Sequence, residues 1–252
     1  MQSPLRVMVT AGASGIGAAI ASRFAAEGAL VSVLDADPEA VAAVTGMHAV
    51  VGDCSSPSVV DAWFDDRLAA WGGLDVLVNN AGIAGPTAYV EEMSFADWRE
   101  TLAVGLDSHF LTSRRAAAAM KGQGSGSIVA ISSTAGLYGY GMRSPYAAAK
   151  WAVIGLVKSL AIELGPHGVR VNAICPGSVD GPRMRGVIER EAEARGVEAS
   201  LVEREYVQGQ SIHRFVDASE IADLAWFLAS PAAAMITGQA IAVDGHTETF
   251  HL

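Results

Sequence analysis

Seven short apolar runs alternate along this chain with longer alanine-rich stretches, and that alternation limits the possible folds more than any other feature. The runs are Leu5–Thr10, Leu30–Leu34, His48–Val51, Leu74–Val78, Gly126–Ile131, Arg170–Ile174 and Ala240–Val243. Most are continuous rather than alternating, as in strands buried on both faces of a parallel sheet. Helices are predicted near 15–28, 57–71, 94–121, 144–164 and 219–229. Ser94-Phe-Ala-Asp97 and Asp217-Ala-Ser-Glu220 read as capping boxes, and Ser144-Pro145 as a capping serine before a first-turn proline. Strand–helix alternation of this kind predicts an α/β fold, a doubly wound parallel sheet of about seven strands with helices on both faces.

Of the 252 residues, 51% are apolar and 17% charged, enough apolar material for a substantial core. With no linker, repeat or low-complexity tract, one domain is expected over 1–252. The stretch 176–216 breaks the rhythm; it is polar and arginine-bearing, and it is the candidate substrate lid. A net charge of −10 with no basic patch excludes a nucleic-acid partner. No apolar run reaches the roughly 18 residues of a membrane span, and the chain enters its first strand pattern too early for a signal peptide. Cys54 and Cys175 form neither a disulfide framework nor a metal pair, so reduced thiols and a cytoplasmic setting are expected. His48, His109, His167, His213, His246 and His251 have no ligand spacing, and no metal site is expected.

Thr10-Ala-Gly-Ala-Ser-Gly-Ile-Gly17 follows the first strand and opens the first helix. Gly12, Gly15 and Gly17 let backbone approach a pyrophosphate, and Ser14 stands where the helix N-terminus offers free N–H groups. The order strand, turn, helix makes this a Rossmann-type dinucleotide site. Asp35 ends the second strand, where a carboxylate can accept from ribose hydroxyls and would repel a 2′-phosphate. It can also be read as a turn residue, as Asp37-Pro38 beside it is. No Arg or Lys stands in Asp35–Glu39, so NAD is preferred over NADP.

Tyr146-Ala-Ala-Ala-Lys150 puts a phenol and an ammonium on one helix face. A phenol ordinarily ionises near pH 10, and a neighbouring cation lowers that value. Ser133 follows the strand Gly126–Ile131, where a hydroxyl faces the carboxyl end of the sheet. Asn79-Asn80-Ala81-Gly82 ends the fourth strand and Pro176-Gly177 the sixth.

Together these motifs resemble a classical short-chain dehydrogenase/reductase over essentially the whole chain. The resemblance implies Tyr146 as general acid/base, Ser133 as hydrogen-bond partner of the substrate oxygen, and Lys150 as the residue that tunes Tyr146 and binds ribose. It implies dinucleotide contacts at Ile16, Asp53, Cys54, Asn80 and Val179, and a homotetramer built on the helices near 94–121 and 144–164 and on the last strand. Three positions depart from the family pattern. Ala11 replaces the first glycine, which is compatible with the turn if φ stays negative. Gly105 replaces an asparagine in a helix kink, a substitution that keeps the carbonyl. Gly181 stands where a threonine meets the carboxamide.

The reaction expected is hydride transfer between NAD and a secondary alcohol or ketone, favoured in the oxidative direction, on a polyol, sugar-like molecule or hydroxy acid. The alternatives are an NADPH-type carbonyl or ketoacyl reductase and a non-catalytic dinucleotide-binding regulator. Substrate contacts are expected from Tyr138, Arg143, Arg185 and His213, with Arg183 and Arg214 nearby; at least one cation would meet an anionic or polyhydroxylated substrate. The competing reading pairs these arginines with Glu189, Glu191, Glu193, Glu203 and Glu205.

Overall fold

A computed structural model describes residues 3–247; His251 lies outside them. The strands are β1 Arg6–Thr10, β2 Leu30–Asp35, β3 His48–Val51, β4 Val76–Asn79, β5 Gly126–Ile131, β6 Val169–Pro176 and β7 Ala240–Val243. They form one parallel sheet in the order β3-β2-β1-β4-β5-β6-β7. The order reverses between β1 and β4, so a crevice opens at their carboxyl ends.

Alternate residues of each strand feed opposite faces. Met8, Leu77 and Ile128 meet Phe64 of α3 (Pro57–Trp71), Met120 of α5 (Ser108–Gln123) and Val153 of α6 (Ser144–Leu164). Val7, Val9 and Val33 meet Ile20 and Phe24 of α1 (Gly15–Ala26) and Ile221 and Leu228 of α9 (Ala218–Ala229). Phe24 is fully buried and stands edge-on to Trp226 at 5.2 Å; truncation to alanine would cost about 3–5 kcal/mol.

Local signals set the helix ends. Asp37 caps a short α2 (Pro38–Ala42), which the hydrophobic pattern does not reveal, by accepting from the N–H groups of Glu39 and Ala40. At α9 the capping box is reciprocal, Glu220 accepting from the Asp217 N–H at 2.9 Å. Ser94 accepts from the Asp97 N–H at 3.1 Å, whereas the Asp97 carboxylate takes the Ser94 hydroxyl rather than its N–H. The helix expected over 94–121 is divided into α4 (Phe95–Leu102), a π turn over Ala103–Asp107, and α5. Ser144 does not cap α6: Arg143 occupies the N-cap, and the Ser144 hydroxyl donates to Met93 Sδ at 3.4 Å. The stretch after β6 carries two helices, α7 (Pro182–Arg195) and α8 (Ala199–Gln208), packed through Ile188, Ala192 and Val202.

Candidate active site

The β1–α1 turn is held from the switch point of the sheet. Thr10 Oγ1 accepts from the N–H groups of Asn80 (2.9 Å) and Ala81 (3.0 Å). Ala11 donates to Leu34 O at 2.7 Å and accepts from Asn80 Nδ2 at 2.9 Å. Its φ is +47°, so the expectation of a negative φ is overturned. A left-handed alanine costs about 1–2 kcal/mol, and the two hydrogen bonds hold it there. A Cβ on Gly17 would lie 2.0 Å from Ala11 O, and one on Gly12 would lie 2.7 Å from Val33 Cγ1. Gly12 and Gly17 therefore act through close packing, while Ser14, Gly15 and Ile16 line the cleft. Ser14 is the N-cap of α1 in extended backbone and makes no side-chain cap, which leaves the first N–H groups for an anion.

Asp35 is buried in the wall of this cleft and accepts from the N–H groups of Ala13 (3.0 Å) and Asp37 (3.1 Å). Asp53 and Cys54 lie apart from the cleft lining. The Asp53 carboxylate accepts from Ser55, and the Cys54 thiol is buried, its pKa pushed up to about 12 by desolvation.

At the other end of the cleft stand Ser133, Tyr146 and Lys150. Lys150 is 3% exposed; its Nζ donates to Ile131 O at 2.8 Å and sits 5.7 Å from the centre of the Tyr146 ring. Removal from water opposes ionisation of Tyr146, but the charges of Lys150 and Arg183, a hydrogen bond from Ser133 and the charge of Arg143 outweigh it and lower the phenol's pKa. Desolvation lowers the pKa of Lys150 against the opposing pull of Tyr146. Gly82 leaves room for the ammonium, since a Cβ there would come within 3.3 Å of Nζ. Such a centre can move a proton at a phenol oxygen inside a cleft of about 500 Å³ that also holds a glycine turn and an acidic strand end.

A family model described as enoyl-(acyl carrier protein) reductase matches residues 10–246. The chain belongs to the short-chain dehydrogenase/reductase family. It is an oxidoreductase acting on alcohols. It is 38% identical over 245 residues to the cis-4-hydroxycyclohexanecarboxylate dehydrogenase of Sinomonas cyclohexanicum, covering 94% of each chain. It is 35% identical over 250 residues to the D-beta-hydroxybutyrate dehydrogenase of Rhizobium meliloti (strain 1021), covering 94% of this chain and 96% of the relative. Among solved structures, an NAD⁺-bound xylitol dehydrogenase superposes with a TM-score of 0.92 at 28% identity, covering 96% of this chain and 98% of that one.

The family's departures here have physical counterparts. Gly105 lies in the π turn between α4 and α5, and a Cβ there would sit 3.3 Å from Ala149 Cβ on α6. π turns are rare, occur mostly as single-turn bulges within α-helices, and are frequent at functional sites. Gly181, at φ +148°, is the N-cap of α7 and lines the cleft, as do Pro176, Gly177 and Val179.

Several expected contacts lie elsewhere, and others were not anticipated. Tyr138 is outside the cleft lining; its carbonyl accepts from Trp151 Nε1 at 3.4 Å. Arg185 pairs with Asp180 at 3.3 Å, and His213 is exposed outside the lining. Arg143 lines the cleft, and so do Arg183, Tyr140, Met184 and Tyr206. Tyr206 donates to Glu191 Oε2 at 2.6 Å, so the hydrogen bond between the two tyrosines runs from Tyr140 to Tyr206. Glu191 is itself buried and paired with Arg195 at 2.9 Å. The i, i+4 spacing of Val202 and Tyr206 on α8 was the available signal for an inward face; Tyr140 stands on a loop and had none.

Proposed function

We propose that this short-chain dehydrogenase oxidises a secondary alcohol to a ketone with NAD, with Tyr146, Lys150 and Ser133 as its catalytic residues. The observation that carries the reading is the cleft-facing Tyr146, its pKa lowered chiefly by Lys150 against the cost of burial. Tyr146 accepts the hydroxyl proton, Ser133 holds the substrate oxygen, and Lys150 stabilises the phenolate and binds ribose. NAD, when bound, supplies the hydride acceptor. The residues fit such a group: the glycine turn has no space for Cβ atoms at Gly12 and Gly17, and Asp35 presents a carboxylate at the cleft wall. Ser14, Gly15, Ile16, Asn80, Pro176, Gly177 and Val179 would complete its contacts.

Preference for NAD over NADP is supported by the buried Asp35, which has no ion-pair partner among the described residues, and by the NAD⁺-bound state of the xylitol dehydrogenase. The same carboxylate disfavours an NADPH-type reductase. The whole chain acts as one dinucleotide-binding and catalytic domain, with residues 176–216 as its lid. The relatives' names support a hydroxy acid or polyol as substrate. Phe95, Phe110, Trp151 and Ile162 expose apolar surface on α4, α5 and α6, which supports a homotetramer built on those helices. Two buried free thiols accord with a cytoplasmic protein.

The test is NAD⁺ and NADP⁺ binding followed by turnover, read as absorbance of the reduced nicotinamide, on secondary alcohols, polyols and hydroxy acids. Turnover with NAD⁺ that Tyr146→Phe abolishes, while NAD⁺ binding persists, is expected. Binding without turnover on any substrate would favour the regulator, and no binding of either dinucleotide would end the proposal.

A further inference from the structure

The arginines around the candidate lid divide into two groups. Arg185 pairs with Asp180 at 3.3 Å, Arg195 with Glu191 at 2.9 Å and Glu205 at 2.7 Å, and Arg214 with Glu220 at 2.6 Å. These follow the ordinary pairing expected in an acidic protein. Arg143 does not. It is 4% exposed, the one buried arginine among the described residues, and it has no carboxylate partner there.

Its guanidinium is only partly satisfied. Nη2 donates to Ala84 O at 2.8 Å, and the buried Nε has no hydrogen-bond partner among the described residues. The guanidinium carbon lies 5.1 Å from the Tyr140 ring centre and 5.0 Å from that of Tyr146. Two aromatic faces offset part of the loss of water, but the Nε–H is left without an acceptor among the described residues. A buried cation in this state is completed by an anion, and a carboxylate matches the guanidinium edge with two acceptors. Arg143 is the N-cap of α6, three residues before Tyr146, so a group held on it lies beside the reacting centre. Arg183 adds a second positive charge at the cleft wall, its Nη1 donating to Gly82 O at 2.9 Å with no acidic partner among the described residues.

We propose that Arg143 is the carboxylate-binding residue of this site and that the substrate is a hydroxy acid. The carboxylate rests on the guanidinium while the hydroxyl faces Tyr146 and Ser133. This proposal depends on the hydride-transfer reading of the same site. In the reaction the carbinol carbon loses a hydride to NAD and the hydroxyl loses its proton to Tyr146. The product is an oxo acid whose carboxylate is unchanged. The short distance between Arg143 and Tyr146 limits the spacer between the two groups to a few bonds.

A merely structural Arg143 would pack Tyr146 and help to lower its pKa, so the test must separate charge recognition from phenol activation. Short-chain β-hydroxy carboxylates and alicyclic hydroxy carboxylates are each compared with their neutral primary amides, using the wild type, Arg143→Lys and Arg143→Met. The wild type is expected to favour the acid over the amide by about 100-fold in kcat/KM. Arg143→Met removes one of the charges that lower the Tyr146 pKa and should therefore slow both substrates. The acid should lose about 100-fold more than the amide, mainly through KM, and Arg143→Lys should recover part of that excess. NAD⁺ binding by each variant reports folding, and if Arg143→Met does not fold, the wild-type ratio and Arg143→Lys decide. Equal use of acid and amide by the wild type, or equal losses on both in the variants, would overturn the proposal and leave the hydride-transfer reading standing. No turnover of any acid or amide, with turnover of a polyol or another secondary alcohol, would overturn this proposal alone; no turnover of any of these by the NAD⁺-bound wild type would overturn both.

Discussion

Lys150 Nζ lies 2.8 Å from the carbonyl of Ile131 and 5.7 Å from the centre of the Tyr146 ring, so a β5 carbonyl fixes the ammonium whose charge lowers the phenol's pKa. The phenol titrates below its ordinary value of 10.0 for that reason among others. In the proposed oxidation the phenolate accepts the proton, and on that reading kcat/KM should rise with pH and level off above a midpoint lower than 10. Lys150→Met removes the largest favourable charge, so the midpoint should move upward and activity near pH 7 should fall by about 100-fold or more. Ketone reduction should show the opposite limb, since it needs the protonated phenol. A pH–rate profile unchanged in Lys150→Met would dismiss this role.

Asp35 accepts two backbone N–H groups and faces the cleft. Asp35→Ser should lower kcat/KM for NAD⁺ by about 10–100-fold, the worth of one charged hydrogen bond, while NADP⁺ is held or improved. Parallel loss with both cofactors would assign Asp35 to the turn alone.

Ala11 and Gly17 share a contact that makes opposite predictions. Ala11→Gly relieves about 1–2 kcal/mol of left-handed strain against about 0.5–1 kcal/mol of extra freedom in the unfolded chain. A net gain of up to about 1.5 kcal/mol would raise Tm by up to about 3–6 °C. Gly17→Ala puts a methyl 2.0 Å from the Ala11 carbonyl and should both lower Tm and abolish dinucleotide binding. Calorimetry and NAD⁺ titration on the two variants check this.

His109 is buried, with Nε2 at 3.1 Å from Ala81 O and Nδ1 lacking a partner among the described residues. Desolvation, and then the charge of Lys150, hold its pKa down to about 3 against an ordinary 6.5. As pH falls, the unfolded chain therefore takes up this proton first. Stability from a neutral His109 is whole above pH 6.5 and is lost progressively between 6.5 and about 3. Its share approaches about 1.4 kcal/mol per pH unit. Urea unfolding at pH 7 and pH 5 should show a larger acid loss in the wild type than in His109→Gln; equal losses would refute the assignment.

The features legible in the sequence were those set by neighbours along the chain. Continuous apolar runs mark strands buried on two faces, and all seven reappear with bounds shifted by at most two residues. The four-residue interval between Tyr146 and Lys150 is a property of any helix, as is the reciprocal cap at Asp217 and Glu220. Where a side chain leaves a loop, or which of several like charges goes unpaired, depends on partners distant in sequence. Tyr140 rather than Tyr138 enters the cleft because α8 brings Tyr206 to its hydroxyl. Arg185 pairs with Asp180 whereas Arg143 is buried with no acidic partner among the described residues, a contrast that only packing between α6, the preceding loop and the rings of Tyr140 and Tyr146 could decide. The sign of φ at Ala11 has the same origin: Leu34 and Asn80 hold that residue from two other strand ends. Local pattern determined the strands, the longer helices between them and the Tyr–Lys pair, because their periodicity lies within one element; it did not reveal α2, α7, α8 or the break between α4 and α5. The tertiary structure decided which polar groups face the cleft, because long-range contacts select among side chains that are alike in sequence.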